Sequence, residues 1–566
     1  MTKHTPEFLR ARSSNLSLRS VAMESSFTSR AASRCHEAPS RKTAEPEMSA
    51  EAQCFVLADM WGRTAGENPV CGRCALRLQA DQRSHTAAAD SASCRICAFT
   101  ATKPEVFTKP FCEFLTENPT IFHTVEYFKA KLAAVGFKEL PMRDDWTDKL
   151  EASGKYFVTR NSSSVIAFTV GKAYKPGNGV AMIAGHIDAL TAKLKPVSTK
   201  PTKAGYIQLG VAPYAGALNE TWWDRDLSIG GRVIVRDPET GKTGTKLVKL
   251  GWPIARVPTL APHFGLPIMG SNNKETQAVP IIGLESSSSE SELAPLGEPG
   301  SFVATQPPKL VKLIASELGI ADYSAIVNWE LELFDGQPAT VGGLDKEFIF
   351  AGRIDDKLCS WAALTGLLHA ESRESDGIIK LVALFDDEEI GSLLRQGARA
   401  NFLPLVIERA VEALSGPGAF GPGVVGRTYA RSFLVSADVC HAANPNFLDR
   451  YLDGHAPRLN VGVAVCADSN GHMTTDSIGS AVADRVAALS GCTNQVFMIR
   501  NDSRSGGTVG PTLSSAMGVK AIDAGLPQLS MHSIRATTGA LDPGLGVKFF
   551  KGFLDNWEKI DGEWEH

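Results

Sequence analysis

Short apolar runs alternate with amphipathic segments along most of the chain from about residue 104. The runs "GVAMIAGHIDAL" and "RSFLVSADVCHA" are apolar and end in polar residues, and "QVFMIRND" and "LPQLSMHSIR" have the same form. Between them lie segments such as "DDKLCSWAALTGLLHA", in which apolar residues recur on one helical face. Buried strands that alternate with helices predict an α/β fold with a largely parallel sheet.

The pattern changes between residues 191 and 346. The stretch "GRVIVRDPETGKTGTKLVKL" predicts a β-hairpin with a glycine-containing turn, and proline and glycine are frequent. We therefore expect a β-rich domain inserted at 191–346. The α/β domain would then consist of 101–190 plus 347–566.

Residues 1–100 lack hydrophobic periodicity and are rich in Ser, Ala and Arg, which predicts a mostly disordered extension. Few acids among the first residues are also typical of a transit peptide, although a merely solvated tail is the favoured interpretation. Two CxxC pairs, Cys71 with Cys74 and Cys94 with Cys97, stand nineteen residues apart, which matches a four-thiolate structural zinc site. The alternative is chance spacing in a cysteine-containing tail.

Composition narrows the possible classes of protein. A chain of 566 residues, of which 43% are hydrophobic, has room for two or three domains. Its net charge of -4 gives no electrostatic footprint for nucleic acid or an anionic membrane. We see no apolar run long enough for a membrane span, and no secretory signal. The scattered cysteines of the globular part indicate free thiols.

Polar side chains follow the strand-like runs, and four consecutive acids end one of them. The residues concerned are His186, Asp188, Asp355, Asp386, Asp387, Glu388, Glu389, Asp438 and His532. Because ligands bind beyond the carboxyl ends of parallel strands, we expect these side chains to converge. Imidazoles with carboxylates suit Zn²⁺ or a similar divalent ion. Five ligands can serve two metals if one carboxylate bridges, and another acid can then act as base.

Each of these residues also has an alternative explanation. A histidine at a strand end is often only hydrogen-bonded, and an aspartate there is often the N-cap of the next helix. The acids 386–389 could form a solvated turn before a helix in "GSLLRQGARANFL", since acids favour helix N-termini. Jointly, five strand ends with suitable residues weaken these alternatives, although spacing alone does not prove a metal site.

Six long motifs resemble one family of enzymes. They are "GHIDALTAKLKPVS", "VAPYAGALNETWWDRDLSIGGRVIV", "RIDDKLCSWAAL", "LFDDEEIGSLLRQGA", "SADVCHAANPNFLD" and "NDSRSGGTVGPTLSS" with the later "LPQLSMHSIRATTG". In this order they resemble the aspartyl aminopeptidase and vacuolar aminopeptidase I family of dinuclear zinc exopeptidases. The resemblance implies an α/β zinc-exopeptidase domain (phosphorylase/hydrolase-like, with a mixed, largely parallel sheet) that a β-rich oligomerisation domain interrupts. It also implies a homododecamer whose active sites face an internal chamber.

The resemblance further implies a role for individual residues and two co-catalytic Zn²⁺ ions per subunit. His186 and Asp438 would hold one zinc ion, Glu389 and His532 the other, and Asp355 would bridge them. Glu388 would be the general base, and Asp188 would fix the imidazole of His186. Substrate-binding roles would fall to His263, which the family projects into a neighbouring subunit's site, and to His441.

Two departures bear on activity. Asp387 stands where relatives usually carry Asn, and an extra charge beside the base would raise its pKa. The acid-preferring branch has a lysine after the third acidic ligand, whereas 459–476 contains no Lys or Arg and has Cys466 at about that position. We therefore expect neutral, apolar N-terminal residues such as Leu to be preferred, with the acidic preference of an aspartyl aminopeptidase as the alternative.

Other hypotheses differ in class or compartment. A related metal-dependent hydrolase such as a deacylase shares the fold class, and a catalytically idle assembly or cargo-binding particle is the non-enzymatic alternative. The complete ligand set and Glu388 argue against the idle particle. The motifs are closer to the fungal vacuolar branch, which makes the vacuole the expected location and the cytoplasm the alternative.

Overall fold

The strands in the part of the chain that the structure describes form three sheets, of nine, six and five strands. The computed structural model describes residues 103–264, 272–287 and 289–565, which all belong to one structural unit. The predicted four-cysteine zinc site lies outside these residues. Among the described residues, no helix is both long and apolar enough to cross a membrane.

The strands in chain order are β1 (Lys138–Glu139), β2 (Lys155–Arg160), β3 (Ser164–Val170), β4 (Val180–His186), β5 (Thr191–Thr199), β6 (Tyr206–Tyr214), β7 (Leu227–Arg236), β8 (Thr243–Lys249), β9 (Ile281–Leu284), β10 (Ile326–Asp335), β11 (Thr340–Gly342), β12 (Phe348–Ala351), β13 (Ile379–Phe385), β14 (Phe433–Ser436), β15 (Cys440–His441), β16 (Ala464–Ala467), β17 (Gln495–Met498), β18 (Lys520–Gly525), β19 (Pro527–Leu529) and β20 (Ala536–Gly539). The α-helices are α1 (Thr108–Glu117), α2 (Ile121–Ala134), α3 (Glu290–Leu293), α4 (Pro308–Glu317), α5 (Ile354–Leu368), α6 (Phe402–Ser415), α7 (Pro422–Ala430), α8 (Ser477–Ser490), α9 (Val509–Met517) and α10 (Asp542–Asp561).

The nine-stranded sheet has the order β1-β2-β3-β13-β4-β14-β18-β16-β17. Its central strands β13, β4, β14 and β18 run parallel, while β3 and β16 pair antiparallel at either side of them. Every residue of β4 and β13 is buried. Continuous apolar runs such as "IKLVALF" are typical of strands covered on both faces, so the prediction of a mixed, largely parallel sheet is confirmed.

Helices cover both faces of this sheet. Alternate residues of each strand point to opposite faces, so Ala181 and Ile183 join one core while Val180 and Met182 join the other. Helices α1, α2, α5, α8 and α10 contribute to the first core, and α6 and α9 to the second. Two separate layers of helix around a central sheet make the α/β domain a three-layer structure.

The six-stranded sheet has the order β8-β7-β10-β5-β6-β9, and its pairs are antiparallel. Buried residues of α4 pack with its strands in a third core. All six strands lie inside the range 191–346 for which we predicted an inserted domain. The strand β11 also lies in that range, but it pairs with β12 in the five-stranded sheet. The exact domain boundaries and an oligomerisation role stay predictions.

Helix α2 contains a partly buried histidine that ties folding to pH. His123 Nδ1 lies 2.7 Å from Thr120 Oγ1 at the start of the helix. Burial, together with nearby Lys249 and Lys357, lowers the pKa of His123 to about 4. The folded state therefore holds this imidazole neutral at a pH at which the unfolded chain binds a proton.

We predict that acidification destabilises the protein through His123. Its folded pKa is lowered, so its contribution to the free energy of unfolding is complete above the unfolded pKa of about 6.5 and falls as the pH drops toward 4. The loss is at most about 3 kcal/mol at 1.36 kcal/mol per pKa unit. Urea unfolding at several pH values measures it.

The variant His123→Gln should flatten this dependence between pH 6.5 and pH 4. The partly exposed His455, whose Nδ1 lies 3.0 Å from the backbone oxygen of Asp453, provides the control substitution His455→Gln. An unchanged slope in His123→Gln would contradict the prediction.

Candidate metal centre

The register of the central strands brings His186, Asp438 and the acids that follow β13 to one edge of the sheet. Asp355 and His532 reach the same place from the five-stranded sheet, where they follow β12 and β19. In the parallel pairing, Phe385 of β13 lies opposite His186 of β4, and Ser436 of β14 lies opposite Ala184. The acids that follow β13 and the Asp438 that follows β14 therefore start beside His186. This is the carboxyl edge at which parallel sheets bind ligands.

Five side chains at this edge form two groups that share one carboxylate. One group is His186, Asp355 and Asp438, and the other is Asp355, Glu389 and His532. In each group the candidate ligand atoms all lie within 4.8 Å of one another. The structure thus brings together all five residues that we predicted as metal ligands.

Asp355 faces both groups with different oxygens. Its Oδ1 lies 3.3 Å from His186 Nε2, and its Oδ2 lies 3.7 Å from His532 Nε2. His186 Nε2 is also 3.6 Å from Asp438 Oδ1, and His532 Nε2 is 3.8 Å from Glu389 Oε2. These separations are close to the roughly 3.3 Å expected between two ligand atoms about 2.0 Å from one tetrahedral ion.

The donor set fits a pair of zinc ions electrostatically as well. Burial and the neighbouring carboxylates raise the pKa of Asp355 and, more strongly, that of Glu389. Glu389 Oε1 is buried and has no hydrogen-bond partner among the described residues. Buried carboxylates without donors are unstable as anions unless cations compensate them, and imidazole with carboxylate is a ligand set for zinc.

Glu388 lies beside the two groups without belonging to either. Its Oε2 is 3.8 Å from His186 Nε2, and its side chain is 16% exposed, so it remains accessible from solvent. Burial, and then the charges of Asp438, Asp188 and Asp355, raise the pKa of Glu388 to about 8. The leading charge on this acid is His186, which opposes the rise; the charges that raise the pKa are these carboxylates rather than the adjacent Asp387 that we expected from the sequence.

Asp188 holds the histidine and the acidic turn together. Its Oδ1 accepts hydrogen bonds from His186 Nδ1 and from the backbone N–H of Glu388, each 3.2 Å away. Its Oδ2 accepts from the backbone N–H of Glu389 at 3.1 Å and from the hydroxyl of Tyr214 at 2.7 Å. The hydrogen bond from His186 Nδ1 leaves Nε2 of the imidazole to face Asp355. This is the orienting role that we predicted for Asp188.

The acids do not precede a helix directly. Glu388–Ile390 is a single 3-10 turn, residues 391–401 are turns and bends, and α6 begins at Phe402. Asp387 and His532 are both left-handed, with φ angles of 63° and 64°. The helix that a solvated-turn explanation needs is therefore absent from 391–401. Left-handed residues instead turn the chain sharply on either side of the site.

The two further histidines occupy different positions. His441 ends β15 with an exposed side chain, and the charges of Asp355, His532 and Asp438 act on it. His263 is exposed and stacks on Phe264, with ring centroids 5.0 Å apart. Within the described chain His263 takes no part in the ion pairs of the metal centre. Its predicted role concerns a neighbouring subunit and stays a prediction.

One participant did not emerge from the sequence. Tyr214 comes from β6, in the range assigned to the inserted domain, and bonds Asp188 of the other domain. The motif "VAPYAG" contains it, but a tyrosine at a strand end carries no signal of its partner. Its contact depends on how the two sheets meet.

The chain matches the model of the family described as "Aminopeptidase I zinc metalloprotease (M18)" over residues 114–554. Vacuolar aminopeptidase 1 of Saccharomyces cerevisiae is 42% identical over 467 residues, which cover 81% of this chain and 90% of that protein. Aspartyl aminopeptidase of Aspergillus oryzae is 38% identical over 477 residues, covering 79% of this chain and 95% of that protein.

Solved structures agree with these matches. The structure of Chaetomium thermophilum mApe1 has 67% sequence identity and a TM-score of 0.77, covering 82% of this chain and 100% of that one. The structure of the S. cerevisiae mApe1 dodecamer has 38% identity and a TM-score of 0.72, covering 81% of this chain and 98% of that one. The family prediction is confirmed: this chain belongs to the aminopeptidase I zinc metalloprotease (M18) family and is an aminopeptidase.

Proposed function

We propose that this chain uses two zinc ions to release neutral, apolar N-terminal residues such as leucine from peptides. The observation that carries the proposal is the two-sided carboxylate of Asp355. One of its oxygens lies 3.3 Å from His186 Nε2 and the other 3.7 Å from His532 Nε2. A carboxylate with a separate imidazole and a separate second acid on each side supports two ions in one site.

The distances between the donor atoms separate the five candidate ligands into two groups, one for each ion. His186 and Asp438 would hold one zinc ion, and Glu389 and His532 the other, with Asp355 between them. With two zinc ions held by these residues, the site would gain a water of lowered pKa and a means of polarising the scissile carbonyl. Asp188 keeps the ring of His186 in the orientation that this arrangement needs.

Glu388 moves the proton. It is not needed as a ligand, since neither group of donor atoms includes it, and it lies next to both. Its carboxylate takes a proton from the attacking water and gives it to the nitrogen of the leaving amine. Two adjacent glutamates are required because Glu389 binds metal while Glu388 stays free to exchange a proton.

We predict that Glu388→Gln lowers kcat/KM on leucine p-nitroanilide by about 10²–10⁴-fold, because the amide keeps the shape of the side chain and cannot accept the proton. Zinc content, measured by mass spectrometry of the metal, should stay equal to that of the unaltered protein. Asp355→Asn serves as the opposite control, since it should lower zinc content.

Chelator treatment should abolish hydrolysis, and added zinc should restore it. If neither chelation nor Glu388→Gln slows leucine release, the metal mechanism is wrong. A further zinc ion per chain that is lost in Cys71→Ser would support the predicted thiolate site.

An apolar cluster next to the metal centre supports the preference for neutral residues. His441 lies 5.7 Å from Phe497 between ring centroids, and Phe497 packs with buried Cys440, Ala464 and Cys466. Met473 and Ile499 pack against the same cluster. The stretch 459–476 brings no Lys or Arg to it. An acidic substrate side chain beside this cluster would find no cation from 459–476 to pair with, which is costly.

We predict that kcat/KM for leucine p-nitroanilide exceeds that for the aspartate analogue by at least about 10-fold, since an unpaired charge loses binding energy in an apolar pocket. Cys466→Lys should narrow this ratio, with Cys466→Ser as the uncharged control. Faster release of aspartate would instead support the runner-up, an aspartyl aminopeptidase, which relatives of that name favour.

We further propose that the chain assembles into a homododecamer, because its relative mApe1 of S. cerevisiae has been solved as a dodecamer. The hairpin of β11 and β12 exposes apolar side chains in the single chain. Leu344 is 99% exposed, Val341 38% and Phe350 37%. Apolar side chains grouped on one projecting hairpin favour contact with a second copy of the chain.

Light scattering after size-exclusion chromatography should give a particle twelve times the mass of the 60.6 kDa chain. Leu344→Glu should shift it to smaller species, because a charge would lose its water at the contact. Leu344→Met keeps an apolar side chain and is the matched control. A stable monomer of the unaltered chain would contradict the proposed assembly.

For location we propose the vacuole, on the strength of the 42% identity to a vacuolar aminopeptidase. The cytoplasm is the runner-up. Fractionation of cells that express the full chain distinguishes the two compartments.

A further inference from the structure

Tyr214 links the six-stranded sheet to the metal centre. It is the last residue of β6, and its side chain is 8% exposed. Its hydroxyl lies 2.7 Å from Asp188 Oδ2 and 3.4 Å from Asp387 Oδ1. A phenol has one hydrogen to donate, and both neighbours are carboxylates that accept. The shorter distance assigns that hydrogen to Asp188.

The Tyr214 hydroxyl completes the set of donors around Asp188. A carboxylate has about four lone-pair sites. The described donors number four: His186 Nδ1 and Glu388 N on Oδ1, and Tyr214 Oη and Glu389 N on Oδ2. With two donors on each oxygen, Asp188 cannot rotate about its Cβ–Cγ bond without breaking hydrogen bonds in a buried site.

The hydroxyl itself is held by the six-stranded sheet. Tyr214 lies opposite Thr191 in the antiparallel pairing of β5 and β6. Thr191 Oγ1 donates to the backbone oxygen of Leu333 in β10, 2.8 Å away. The Nζ of Lys193 lies 4.1 Å from the centre of the Tyr214 ring, a cation–π contact. Two strands and a cation therefore fix the ring, while its hydroxyl contacts Asp188, which follows β4 of the nine-stranded sheet.

We propose that Tyr214 is a positioning residue for the metal centre and acts through Asp188. The hydroxyl holds the carboxylate that orients the His186 imidazole and the backbone N–H groups of Glu388 and Glu389. The inference rests on the proposed function, since it assigns these residues to zinc binding and proton transfer. It also gives the inserted range 191–346 a part in the chemistry besides assembly.

A purely structural role makes a different prediction. If the ring only fills space where the two sheets meet, phenylalanine serves equally well at this position. Tyr214→Phe keeps the ring and removes the hydroxyl alone, so it separates the two explanations.

The test measures zinc affinity by competition with a chelator, together with kinetics on leucine p-nitroanilide. Tyr214→Phe should weaken zinc binding by about 10-fold and lower kcat by a similar factor, in the range known for partners of metal ligands. KM and the melting temperature should change little. The matched control is Tyr156→Phe, because the Tyr156 hydroxyl accepts from Glu151 N at 3.0 Å, far along the chain from the site.

A double-mutant cycle tests the route through Asp188. In an Asp188→Asn background, Tyr214→Phe should cost less than about 2-fold, because the carboxylate that it positions is gone. Equal losses in both backgrounds, or unchanged zinc affinity in Tyr214→Phe, would overturn the inference. Zinc affinity can be measured without turnover. If the unaltered protein binds zinc but releases no leucine, the proposed function is wrong, while the inference about Tyr214 can still be tested by zinc affinity.

Discussion

Repulsion among buried carboxylates is the constraint on which the rest of the site depends. Asp355, Glu388 and Glu389 converge with Asp188 and Asp438 at one sheet edge, and burial raises the pKa of the first three. The imidazole of His186 lies within 4 Å of Asp188, Asp355, Glu388 and Asp438. Burial opposes its protonation, yet Asp438, Asp188 and Asp355 raise its pKa well above the ordinary value. The proposed pair of divalent ions would resolve the repulsion and at the same time provide the chemistry.

The four consecutive acids after β13 differ because the turn gives each a different neighbour. Asp386 Oδ1 accepts the backbone N–H of Asp387 at 2.8 Å and so shapes the turn. Burial and nearby charge raise the pKa of Asp386 to about 8 and that of Asp387 to about 6. Glu388 faces the space beside His186, and Glu389 joins the second ligand group. A regular helix could not give these four consecutive acids such different partners and functions.

The candidate metal centre draws on all three sheets. The nine-stranded sheet supplies His186, Asp438 and the acids after β13, and the five-stranded sheet supplies Asp355 and His532, which follow β12 and β19. The six-stranded sheet supplies the Tyr214 hydroxyl to Asp188. Arg225, from just before β7, and Arg535, which follows His532, both pair with Asp335 at 2.9 Å and 3.1 Å. These paired charges fasten the chain after His532 to the six-stranded sheet. Movement of that sheet would therefore displace the second ligand group, which includes His532.

The sequence by itself determined the fold class, the order of elements and the candidate ligand residues, because apolar runs and their polar ends are local signals and six motifs occur in family order. It could not determine that Asp355 turns one oxygen to each histidine, or that Asp438, Asp188 and Asp355, more than Asp387, act on Glu388. Nor could it reveal Tyr214 as a partner of Asp188. These contacts join residues that lie up to hundreds of positions apart in the chain. Strand register and the packing of the sheets against one another determine them.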